Sequence, residues 1–131
     1  MTRYFISGFL LICSFSLSAQ DSNDIVGEWL TKNSEAQVTI YKEQRKYVGK
    51  ITRVKDSKQS SLLDTIILSD FIFDAKEREW TNGTVFEPRH GHKSSGYLIL
   101  KDANTLKVTG YKGFRWISDS ETWTRIDTNT K

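Results

Sequence analysis

The sequence predicts an all-β domain built as an antiparallel up-and-down barrel of about eight strands. Short runs rich in β-branched and aromatic residues recur from residue 25 to residue 126. Turn-forming residues separate them, including the single proline, Pro88. No long amphipathic helical pattern, internal repeat or low-complexity block interrupts the series. Closing such a meander removes its exposed edges, and the interior then holds either side chains or one small ligand.

The first strand is expected at Ile25 to Thr31. The second spans Ala36 to Tyr41, with Ala36, Val38 and Ile40 alternating on one face. Glu43-Gln44-Arg45 then turns into a third strand, Lys46 to Val54. A polar loop, Lys55 to Ser61, leads to a strand near 67–73 and a charged turn at Asp74 to Arg78. Glu79 to Glu87 reads as a strand although it contains Asn82-Gly83, ordinarily a hairpin signal, so a bulge or break is expected there. After a turn at Pro88-Arg89-His90-Gly91 come Ser94 to Leu100, Thr105 to Tyr111, a segment from Lys112 to Ser118, and Glu121 to Ile126. Gly49 and Gly110 lie inside strands, where glycine marks a bulge or a sharp barrel bend.

Residues 1–19 have the pattern of a signal peptide: Arg3, an apolar stretch from Tyr4 to Phe15, and small residues ending at Ala19. The stretch is shorter than the roughly 20 residues of a spanning helix. Cys13 lies within it, preceded by Ile12 where lipid attachment requires a small residue. Residues 20–131 then form a single β-barrel domain of 112 residues without cysteine, exported to the periplasm or the medium and held by packing alone. No transmembrane segment remains after cleavage. The net charge of +3 is interspersed along the chain, and the basic cluster Lys42 to Lys46 reads as a solvated hairpin rather than a nucleic-acid patch.

Two groups of residues suggest how the barrel closes: Gly27-Glu28-Trp29 at the start and Thr122-Trp123-Thr124-Arg125 at the end. Lipocalin-like (calycin-like) barrels often begin with Gly-x-Trp, the ring packing beneath a basic residue of the last strand. Such a cation–π contact contributes about 0.5–2 kcal/mol. The chain more fully resembles the secreted bacterial family Domain of Unknown Function 2147. The resemblance rests on Ile25 to Thr31, Tyr47-Val48-Gly49-Lys50-Ile51, Gly83 to Pro88 with Gly91, Leu106 to Tyr111, and Thr122 to Arg125. Glu87 stands where the family usually has Asp, and His92 precedes Lys93 where Lys usually follows the glycine directly. The resemblance implies a lipocalin-like fold and no established activity.

Residues 20–131 contain four Phe, four Tyr and four Trp. Trp80, Phe86, Tyr97, Tyr111, Phe114 and Trp116 are the candidates to line a ligand cavity or its mouth; they serve equally to fill a solid core. Phe114 and Trp116 bury together if their segment is a strand, and form a sticky tip if it is a loop. Gly27, Trp29, Trp123 and Arg125 are assigned to closure, with Glu121 expected to balance Arg125. His90 and His92 are weak metal candidates, since zinc needs a third protein ligand. No metal site and no cofactor is expected. No Gly-x-Ser-x-Gly elbow or phosphate-binding glycine loop is present. The sequence therefore points to a non-enzymatic binder of a small apolar or amphipathic ligand. A solid-core envelope module acting through its surface is the alternative, and an enzyme using His90, His92 or Glu87 is a distant third. A cavity, an exposed aromatic patch and a bound metal, respectively, distinguish them.

Overall fold

The computed structural model describes residues 21–115 and 118–126. Eight antiparallel strands follow one another around a closed barrel: β1 (Gly27–Leu30), β2 (Ala36–Glu43), β3 (Lys46–Val54), β4 (Ile66–Asp74), β5 (Glu79–Glu87), β6 (His92–Asp102), β7 (Thr105–Tyr111) and β8 (Ser118–Arg125). Short 3-10 segments, Lys32–Ser34 and Ser57–Leu62, lie in the β1–β2 and β3–β4 connections. Among the described residues no helix is long and apolar enough to cross a membrane.

Several boundaries differ from the sequence expectation. β1 starts at Gly27 rather than Ile25, because Ile25 is drawn into the core ahead of the strand. β6 begins at His92, and β8 at Ser118 instead of Glu121; ladder pairing to β7 continues through Tyr111–Ser118 and organises residues without apolar alternation. Asn82-Gly83 is a bulge within β5. Asn82 adopts φ +62°, which Asn tolerates better than most residues, and the register to β6 shifts between Trp80 and Gly83. Asp70 on the neighbouring β4 is also left-handed, at φ +66°. That extra residue lets Leu68 and Phe71, three positions apart, both bury. Gly83 is required here because a Cβ would penetrate the Phe71 ring.

One end of the barrel is solid. Trp29, Trp80, Phe71, Tyr47, Leu98 and Leu106 fill it, and the Asp21–Val26 segment folds across as a plug. Its backbone oxygens are met by side chains from the wall. Trp80 Nε1 donates to Ser22 O at 2.9 Å, and Trp29 Nε1 donates to Ile25 O at 2.9 Å. Tyr47 donates its hydroxyl to Asn23 Oδ1. Arg125 donates to the carbonyls of Asp24, Val26 and Ala103, with its guanidinium 4.4 Å from the centre of the Trp29 ring. Burial pulls the Arg125 pKa down and Asp24 partly offsets this; a guanidinium starts so high that it stays charged. Gly27, at φ +142°, leaves the space that Arg125 occupies.

The closing seam is short. β1 pairs β8 only at Trp29–Arg125 and Leu30–Thr124, with Ile126 N donating to Glu28 O. Beyond Leu30 the chain turns away, so the edge of β8 from Ser118 to Trp123 has no paired strand among the described residues.

Removing the fully buried Trp29 ring leaves both a cavity and an unsupported plug. Trp29→Ala is expected to cost about 3–5 kcal/mol, read from the denaturant midpoint; an unchanged midpoint contradicts this account of closure. Gly83→Ala is expected to cost about 1–3 kcal/mol through overpacking against Phe71, and Gly83→Ala combined with Phe71→Leu should lose less than the two changes summed.

Candidate functional site

The opposite end is hollow, and the reason is a gradient of side-chain size along the inward-facing positions. Toward the solid end β2 reads Ala36, Val38, Ile40. Over the same direction β6 reads Ser94, Gly96, Leu98, Leu100, and β7 reads Gly110, Val108, Leu106. Large residues meet across one end and small ones across the other, leaving a cavity of about 940 Å³ open to solvent. Ile51, Val54, Leu62, Ile67, Val85 and Val108 supply an apolar wall. Trp123 belongs to both core and lining and forms the floor.

The polar lining is uneven. Glu121 and Asp119 share the inner face of β8 with Trp123, opposite Val108 and Gly110. Trp123 Nε1 donates to Glu121 Oε1 at 2.6 Å. Glu121 thus bonds the indole instead of balancing Arg125, whose donors go to backbone carbonyls at the other end. Around the mouth, Arg89 pairs with Glu35, and Glu87 organises the turn before β6. Glu87 accepts from Arg89 N and His90 N, both at 2.9 Å, and from His90 Nδ1 at 2.7 Å. Slight burial pushes the Glu87 carboxyl up, but these donors outweigh it and hold the group below its usual 4.5.

The sequence-predicted ligand residues divide. Phe86 and Tyr111 line the cavity. Trp80 does not: it is fully buried at the solid end, held by Ser22. Tyr97 alternates with the inward Leu98 and lies under the Arg115 guanidinium, 3.8 Å from its ring centre, rather than in the lining. Arg115 in turn bonds both Glu79 oxygens, at 3.1 and 2.9 Å. Burial acts to lower the Arg115 pKa, but Glu79 outweighs it and the value is raised. Phe114 is 57% exposed in the β7–β8 loop, so the paired burial expected for a strand does not occur. Trp116 lies outside the described residues, as do residues 1–19. Among the proposed closure residues, Gly27, Trp29 and Arg125 meet at the solid end, whereas Trp123 floors the cavity. His90 and His92 stack with ring centres 5.7 Å apart at the mouth. Among the described residues no group of three His, Cys, Asp or Glu is placed to hold a metal.

A carboxyl with a depressed folded pKa stabilises the fold above its unfolded value, and that contribution disappears as pH falls through the folded one. Because Glu87 is well exposed the effect on global stability is small. The expected readout is local: by NMR titration the Glu87 carboxyl titrates below the ordinary range, and His90→Ala moves it upward. An unmoved titration removes His90 as a cause.

Comparison with known proteins agrees with this architecture. No curated protein matches the sequence. Protein HP1028 from the human pathogen Helicobacter pylori, described as belonging to the lipocalin family, has a similar fold, with a TM-score of 0.65 and 16% identity over 80% of this chain and 84% of that one. At that identity the likeness concerns the fold. The family profile for uncharacterized proteins conserved in bacteria, DUF2147, matches residues 27–125. That match runs from the first residue of β1 to the last of β8, and the chain belongs to the DUF2147 family.

Proposed function

We propose that this protein is an exported, lipocalin-like carrier or receptor that holds one small apolar or amphipathic ligand in the open half of its barrel. The cavity is the observation that supports this reading. Its volume of about 940 Å³ falls within the roughly 300–1,000 Å³ typical of small-molecule sites. Its apolar wall, with polar groups gathered along β8 and around the mouth, suits an amphipathic occupant. The solid end supplies a rigid scaffold, so the hollow end need not collapse when empty. The signal-peptide pattern of residues 1–19 supports export to the periplasm or the medium. The plug draws its described hydrogen bonds from Asp21 onward, so cleavage after Ala19 removes none of them.

Titration with the uncharged fluorescent probe N-phenyl-1-naphthylamine tests the reading. Saturable binding of one probe per chain is expected. Ser94→Phe places an aromatic ring over Gly110 inside the lining, and should weaken the probe about tenfold or more while leaving the melting temperature within a few degrees. Absence of saturable binding to the unaltered protein overturns the proposal.

A further inference from the structure

We propose that the cavity selects amphipathic molecules bearing a cationic amine, and that Glu121 receives the ammonium group. This rests on the reading of the cavity as a small-ligand site and specifies the chemistry of its occupant.

The argument is the arrangement of charge by depth. Every basic side chain of the lining belongs to the exposed rim: Lys32, Arg89 and Lys112, with His90 and His92 beside them. Arg89 is already committed to Glu35, and His90 to Glu87. Along the part of β8 that lines the cavity, the inward charged groups are acidic, from the exposed rim inward. Asp119 comes first, opposite Gly110, which presents no side chain. Glu121 follows one inward step deeper, half-buried and opposite Val108. One Glu121 oxygen is fixed by the Trp123 indole, and the carboxylate has no other hydrogen-bond or ion-pair partner among the described residues. Asp119 has none. Barrel closure does not use either group, since Arg125 is spent on carbonyls at the far end.

A partly desolvated carboxylate is costly unless a donor satisfies it. An alkylammonium does so with a charge-assisted hydrogen bond, and the adjoining Trp123 ring adds cation–π attraction. Its chain would lie against Val54, Leu62, Ile67 and Val85 on the opposing wall. A fatty acid placed in the same pose would set its carboxylate against Asp119 and Glu121. A neutral alcohol would lack the charge assistance.

The test is displacement of bound N-phenyl-1-naphthylamine at pH 7 by dodecylamine, dodecanol and dodecanoate, each below its aggregation threshold. The expected order is dodecylamine, then dodecanol about tenfold or more weaker, then dodecanoate. Glu121→Gln should remove the advantage of the amine and leave dodecanol unchanged. Asp119→Asn, at the exposed rim, should reduce that advantage without disturbing the fold, and covers the case in which Glu121→Gln does not fold. Equal affinity for amine and alcohol in the unaltered protein overturns the assignment, leaves the ligand cavity standing, and makes the two carboxylates guards of the unpaired β8 edge. Failure of the probe itself to bind overturns the cavity reading and this inference together.

Discussion

The structure depends on how one end of the barrel is sealed. A closed sheet satisfies its own backbone, but a segment laid across its mouth does not, and the carbonyls of the Asp21–Val26 plug need donors. They find them in Trp29, Trp80 and Arg125, which come from β1, β5 and β8. Each donor sits on a large apolar or aliphatic body, so a single side chain both fills volume and satisfies the plug. Arg125 also reaches the β6–β7 turn at Ala103 while lying over Trp29. The first and last strands share few ladder positions, so this side-chain network carries much of the closure that a longer ladder would otherwise provide.

Sealing one end so completely releases the other from structural duty. With Trp29, Trp80, Phe71 and Tyr47 concentrated at the plug, the inward positions near the mouth can be Ala36, Ser94 and Gly110 without loss of the core. Trp123 stands at the boundary, with its ring packed on the solid side and its indole N–H turned to Glu121. The same asymmetry leaves one edge of β8 without a paired strand among the described residues, beside the cavity, where inward-pointing Asp119 and Glu121 make a poor template for another strand. On the proposed reading, edge protection and ligand selection fall on the same two carboxylates.

Much of the fold was legible because strands announce themselves by alternation and turns by their residues. Ala36, Val38 and Ile40 face inward as their spacing requires, and the turn at Pro88 to Gly91 forms with Gly91 at φ +68°. Asn82-Gly83 was the ambiguous signal, and packing decided it: Phe71 needs the space above Gly83, so the pair bends a strand instead of ending it. The cavity had a signal too, in the rise from small to large along Ser94, Gly96, Leu98 and Leu100. It can be read only once the direction of each strand relative to the plug is known. The aromatic residues misled because Trp80 and Tyr97 look alike in a list of large side chains, whereas one faces the plug and the other the Arg115 guanidinium.

The sequence by itself determined the all-β class and the succession of strands, because alternation and turn residues are written in neighbouring positions; the pairing of Trp29 with Arg125 was implied by the resemblance to lipocalin-like barrels. Only the tertiary structure decided that the barrel is half solid and half hollow. That outcome depends on which side chains meet across the interior, and residues as distant as Ser22 and Trp80, or Ser94 and Gly110, become neighbours only when the register of every intervening strand is set. It also decided the partner of Glu121: two residues before Trp123 and four before Arg125, the carboxylate bonds the indole, while the Arg125 guanidinium is held at the plug by backbone carbonyls.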